Sequence, residues 1–202
     1  MSAGMIVHLV DDDQSILRAL RRVVTAAGHA CETWSSAEAF LTRLPAEADG
    51  CVVVDLELPG ASGLDLQASL AAHDLALPVV FLSGRGDIRT SVSAMKGGAV
   101  DFLTKPVAAA DLLAALDEAL ARHATLRSTQ VAEAGVAARL AQLTPRERTV
   151  LDMVVEGRLN KQIAGDLEIA EKTVKVHRAR MMRKLDVRTV ADLVRFVVGH
   201  GQ

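Results

Sequence analysis

Five short apolar runs in the first 105 residues, most of them ending abruptly in a polar side chain, constrain the fold more than any other feature. Residues 5–10 run into the triplet Asp11-Asp12-Asp13. Residues 51–54 end at Asp55, 79–82 at Ser83, and 100–103 lead to Lys105-Pro106, with a weaker run at 31–34. Between them, 16–27, 64–72, 88–95 and 109–122 repeat apolar residues at helical spacing. Wholly apolar strands alternating with amphipathic helices predict a parallel sheet covered on both faces. The expected fold class is therefore α/β, with a five-stranded doubly wound parallel sheet. In such sheets ligands bind beyond the carboxyl ends of the strands. Asp11, Asp12, Asp55, Ser83 and Lys105 each follow a predicted strand end, so all are expected on one edge.

After residue 143 no strand pattern survives. Four helical segments are predicted at 145–156, 161–167, 171–185 and 189–198, which makes a second, all-α domain of four helices. The start of the first carries several signals together. Thr144 can cap, Pro145 suits the first helical position, and Glu147 completes a capping box, while Gly157 ends the helix. The expected domains are 1–122, a helical extension followed by a flexible linker over 123–142, and 143–202.

Charge divides along the same lines. The net charge is −2, yet residues 1–122 carry 9 Lys and Arg against 16 Asp and Glu, whereas 143–202 carry 12 against 8. A basic second domain is a candidate for nucleic-acid phosphates, although unequal solvated surfaces would give the same counts. Cys31 and Cys51 form neither a metal-binding spacing nor a disulfide framework and fit a reducing cytoplasm. No basic stretch followed by an apolar one opens the chain, and no apolar run reaches the ~18 residues of a membrane span, so a cytoplasmic location is expected. Aromatic residues are 2 % of the chain, which leaves the cores to Val, Leu, Ala and Ile.

The residues Val10-Asp11-Asp12-Asp13, Asp55-Leu56-Glu57-Leu58-Pro59-Gly60, Ser83-Gly84 and Lys105-Pro106 make 1–120 resemble the receiver domain of response regulators, a flavodoxin-like fold. The resemblance implies that Asp55 accepts a phosphoryl group. It also implies that Mg²⁺ is held by Asp11, Asp12, Asp55 and the Glu57 backbone carbonyl, and that Lys105 and Ser83 contact phosphoryl oxygens. The chemistry is consistent: three carboxylates suit a hard cation, and a carboxylate nucleophile needs cations to approach a phosphate. Taken singly, each residue has a plainer role as a helix cap, loop acid, turn residue or surface lysine, and Asp13 is read as a cap. The resemblance further implies that Phe102 turns inward as Ser83 moves, that the face around 88–103 then dimerises, and that the Lys105–Pro106 bond is cis. Glu57 and Arg85 flank the site, either as a shield over the phosphate or as two exposed side chains.

From 143 to 199, "LTPRERTVL", "NKQIA" and "KTVKVHRARMMRKL" resemble the LuxR-type helix-turn-helix of NarL/FixJ-type regulators. By that resemblance the helix at 171–185 enters the DNA major groove. Lys175, Val176, Arg178 and Ala179 would face bases, and Lys161, Lys172, Thr173 and Arg180 would meet phosphates. Val174, Met181 and Leu185 are spaced to face the core, and His177 suits DNA contact, packing or capping. The implied protein is a two-component response regulator, with no enzymatic activity beyond Mg²⁺-dependent self-phosphorylation and self-dephosphorylation. Its implied partners are a sensor histidine kinase, DNA, RNA polymerase and a second copy of itself. Two alternatives stay open: a receiver that dimerises without phosphorylation, and a phosphate sink or protein-interaction switch.

Overall fold

The computed structural model describes residues 5–44, 48–73, 75–84 and 88–198. The chain divides into two units, Met1–Arg127 and Ser128–Gln202.

In the first unit β1 (Ile6–Val10), β2 (Ala30–Trp34), β3 (Gly50–Asp55), β4 (Val79–Ser83) and β5 (Asp101–Thr104) form one sheet in the order β2-β1-β3-β4-β5. Every pairing is parallel. Side chains alternate across it, as strand periodicity demands. Val7, Leu9, Cys51, Val53, Val80 and Leu82 pack against α1 (Gln14–Ala26) and α5 (Ala109–Ala141). Val10, Val52, Val54, Val79 and Phe81 pack on the other face against α2 (Ala37–Arg43), α3 (Gly63–Ala72) and α4 (Ile88–Lys96). Both faces are covered, which explains why β3 and β4 read as uninterrupted apolar runs.

Gly50 opens β3 with φ +135, and a Cβ there would lie 1.9 Å from the Ile6 carbonyl oxygen. Only glycine allows β1 and β3 to approach so closely.

Helix α2 was not among the expected elements. It is seven residues long, is capped by Ser36, and contributes Phe40, which is fully buried. Its buried positions are Ala37 and Phe40, and an alanine between polar residues registers poorly as an apolar repeat. The stretch expected to pass from helix into flexible linker is instead helical as far as Ala141, and the division between units falls inside α5. This stretch of α5 is rich in alanine, the residue with the least to lose in a helix.

The second unit contains α6 (Pro145–Val155), α7 (Asn160–Asp166), α8 (Glu171–Leu185) and α9 (Val190–Val198). Val150, Leu151, Val154, Ile163, Val174, Met181, Leu185 and Leu193 form its core, with Leu140 and Leu143 packed against it. The Thr144–Glu147 capping box forms as the sequence suggests. Arg139, at the end of α5, donates to the Leu185 carbonyl and lies over the Phe196 ring.

Candidate functional site

Strand ends and the turns after them place the first cluster. Asp11 directly follows β1, and its N–H donates to the Trp34 carbonyl at the end of β2 (3.1 Å). Asp55 is the last residue of β3, and Leu56 N–H donates to the Leu82 carbonyl of β4 (2.8 Å). Ser83 ends β4, and Lys105 N–H donates to its carbonyl (2.8 Å). The parallel register thus brings residues distant in sequence to one edge.

At that edge Lys105 Nζ lies 2.6 Å from Asp11 Oδ2 and 2.9 Å from Asp55 Oδ2. Asp11 is 1 % exposed, Asp55 7 % and Ser83 0 %, whereas Asp12 is exposed. One oxygen from each of Asp11, Asp12 and Asp55 lies within 4.8 Å of the other two. Burial pushes the Asp11 carboxyl up, and the Lys105 hydrogen bond only partly offsets this. Burial alone would pull Lys105 down, but its bonds to Asp11 and Asp55 outweigh that and hold it above the usual lysine range. One ammonium shared between two buried carboxylates, with a third beside them, leaves an excess of negative charge. That donor set fits a hard divalent cation, which takes carboxylate oxygens and waters.

Asp13 touches this cluster through its N–H, which donates to Asp11 Oδ1 (2.9 Å), while its side chain serves the start of α1. It caps α1, accepting from Ser15 N–H (2.7 Å) and the Ser15 hydroxyl (2.5 Å). The Glu57 side chain is exposed, and its N–H meets Asp55 Oδ1 at 3.4 Å. Arg85 lies outside the described residues. Phe102 is half-buried on β5, its ring centroid 6.4 Å from that of Phe81. The Lys105–Pro106 bond is cis.

Two positioning residues escaped the sequence reading. Glu38 of α2 accepts from Ala61 N–H (2.9 Å), holding the loop that follows Asp55, and this bond keeps its carboxyl below the ordinary range. Its sequence separation of 23 residues left no signal. Gly63, the first residue of α3, lets that helix start against the strand. A Cβ there would lie 2.6 Å from the Asp55 carbonyl oxygen and 3.1 Å from the Phe81 ring.

The second cluster lies on α7 and α8. Ile169 N–H donates to the Ala164 carbonyl (3.0 Å), and Glu168 adopts a left-handed conformation (φ 52), which makes the turn between the helices tight. Val174, Met181 and Leu185 are fully buried, which orients the rest of α8 outward. Lys161, Lys172, Thr173, Lys175, Val176, Ala179 and Arg180 are all exposed. Lys175 pairs with Glu171 one turn earlier (3.1 Å). Two basic residues behave differently. Arg178 is half-buried and donates from Nη1 to Asn160 Oδ1. Lys184 donates to Glu147 Oε2 (2.6 Å) and to the Gln142 carbonyl (3.0 Å), fixing α8 to the start of α6. His177 is also half-buried.

A family model for the response regulator receiver domain matches residues 7–117, and one for bacterial regulatory proteins of the luxR family matches 141–197. The chain is 43 % identical over 192 residues to the response regulator protein TmoT of Ectopseudomonas mendocina, covering 94 % of this chain and 86 % of that protein. It is 39 % identical over 196 residues to the transcriptional regulatory protein FixJ of Rhizobium meliloti, covering 96 % of each. Among solved structures, the response regulator StyR matches with a TM-score of 0.89 at 42 % identity, over 98 % of this chain and 100 % of that one.

Proposed function

Because the chain belongs to the response regulators that join a receiver domain to a luxR-family DNA-binding domain, we propose that Asp55 is its phosphoacceptor and that phosphorylation controls DNA binding. The observation that carries this reading is the Lys105 ammonium, held against Asp55 and Asp11 at the carboxyl edge of the sheet. An Asp55 carboxylate oxygen attacks the phosphorus of a phosphohistidine on a partner kinase. The P–N bond breaks as the P–O bond forms, and the departing imidazole keeps the electron pair and takes up a proton. Lys105 moves from carboxylate to phosphoryl oxygen, and the buried Ser83 hydroxyl donates to another. Asp11, Asp12, Asp55 and the Glu57 carbonyl would hold Mg²⁺, which offsets the charge of the incoming phosphoryl group. The protein's share is positioning and electrostatics.

The switch passes through Ser83 and Phe102 to the face of α4. Ile88 is 76 % exposed there, with Val92 and Met95 also exposed, an apolar surface suited to a second copy. Two copies bring two α8 helices to half-sites about one helical turn apart. Lys175, Val176 and Ala179 then face bases, while Lys161, Lys172, Thr173 and Arg180 meet phosphates. RNA polymerase is the downstream partner of the bound dimer, and the cytoplasm is where kinase and DNA are both within reach. Among the described residues no helix is long and apolar enough to cross a membrane.

The test is intact-mass measurement after incubation with Mg²⁺ and acetyl phosphate as the phosphodonor. The account expects one phosphoryl group on the native chain and none on Asp55→Asn. A native chain that gains none, or an Asp55→Asn chain that gains one equally well, overturns it.

A further inference from the structure

Most polar side chains on the outer face of α8 are exposed, but Arg178 is half-buried and committed to a neighbour. Its Nη1 donates to Oδ1 of Asn160, the first residue of α7, at 2.5 Å. A guanidinium donor makes this a charge-assisted bond of the stronger kind. Its place in the fold gives it leverage. The tight turn at Glu168 joins the carboxyl end of α7 to the amino end of α8, and Ile163 and Val174 pack in the core between. The Arg178–Asn160 bond ties the opposite end of α7 to the second turn of α8. Ile163 anchors the middle of the seven-residue α7 in the core, and the Arg178–Asn160 bond adds a hold at its start.

Reading guanine takes the two-pronged donor face of an arginine fork. Arg178 is half-buried and its guanidinium is directed at Asn160 of α7, whereas the neighbouring Lys175, Val176 and Ala179 stand exposed. We infer that Arg178 does not read a base but fixes the angle between α7 and α8, leaving base recognition to Lys175, Val176 and Ala179. The inference rests on the proposed reading that α8 enters the major groove. It makes Arg178 a positioning residue, acting on DNA through Asn160 and the helix that residue starts.

Selection from a randomised duplex library tests this, using the full chain with Mg²⁺ and beryllium fluoride, in native form and as Arg178→Ala, Asn160→Ala, the double variant and Arg178→Lys. Each alanine variant selects the same motif as the native chain, base pair for base pair. Each loses roughly tenfold or more in affinity on every duplex, the order expected for a hydrogen bond to a charged group. The double variant loses no more than the worse single variant, because both remove one interaction. Arg178→Lys, which keeps the charge but not the fork, recovers part of the loss. A relaxed preference at one base pair in Arg178→Ala, or losses that add in the double variant, overturns the inference while leaving DNA recognition intact. A native chain that enriches no sequence overturns the DNA-reading proposal, and this inference with it. Hydrogen exchange across 160–185 checks folding, and Asn160→Ala, which leaves α8 unaltered, decides the question if Arg178→Ala is unstable.

Discussion

Replacing Glu147 with Gln tests how α8 is seated in the second unit. Glu147 is 3 % exposed, its Oε2 accepts from Thr144 N–H (2.9 Å), and the same oxygen takes the Lys184 ammonium at 2.6 Å. The Lys184 bond, followed by the Thr144 N–H, holds this carboxyl down at about 2 against an ordinary 4.5. At about 1.36 kcal/mol per pKa unit, the whole displacement corresponds to ~3 kcal/mol. The Lys184 side chain is 34 % exposed, so solvent screening reduces the expected contribution to about 1–2 kcal/mol. A lowered folded-state pKa stabilises only while the carboxyl is ionised. The contribution is therefore complete above about pH 4.5 and disappears as pH falls through about 2. Glu147→Gln keeps the shape and an acceptor oxygen for Thr144 but loses the charge. Urea unfolding of the full chain, with pulsed hydrogen exchange locating the transition of 143–198, should show that unit destabilised by about 1–2 kcal/mol near neutral pH. The gap should narrow steadily below about pH 4.5. No penalty at neutral pH, or one unchanged in acid, would refute the argument.

Three further outcomes are expected. Gly63→Ala forces a Cβ to within 2.6 Å of the Asp55 carbonyl, so it should destabilise the first unit by about 1–3 kcal/mol in thermal melts and slow phosphoryl uptake from acetyl phosphate. Glu168→Gly relieves a left-handed backbone at φ 52 and should stabilise the second unit by up to about 1 kcal/mol in the same urea assay, whereas a β-branched residue there should destabilise it. Phe102→Ala should leave phosphoryl uptake intact while abolishing the dimer in light scattering, since the ring packs beside Phe81 and takes no part in the Lys105–Asp55 ion pair; unchanged dimerisation would remove Phe102 from the switch.

The sheet was legible because its central strands β3 and β4 are buried on both faces, so 51–54 and 79–82 are apolar at every position, whereas the largely exposed β2 gave only a weak run. The polar residues at strand ends stood out against those runs, which is why Asp11, Asp55, Ser83 and Lys105 could be expected on one edge. Caps were equally local, and Thr144 with Glu147 needed only a spacing of three. What could not be read depends on long-range contact. Glu38 holds the loop after Asp55 from another helix, Gly63 is constrained by a strand it does not belong to, and Lys184 meets Glu147 across 37 residues. Arg178 shows the limit most clearly. Sequence position places it on the outer face of α8, and only its 2.5 Å contact with Asn160 turns it toward the scaffold. The unbroken α5 was missed for a different reason: alanine-rich polar sequence suits a solvated helix as well as a linker.

The central claim, that phosphorylation at Asp55 drives assembly, is tested most directly by solution mass from light scattering with and without Mg²⁺ plus beryllium fluoride, a mimic of the aspartyl phosphate. The account predicts a monomer that becomes a dimer only with the mimic, and an Asp55→Ala chain that stays monomeric throughout. A dimer already present without the mimic, or a native chain that remains monomeric with it, would contradict the claim.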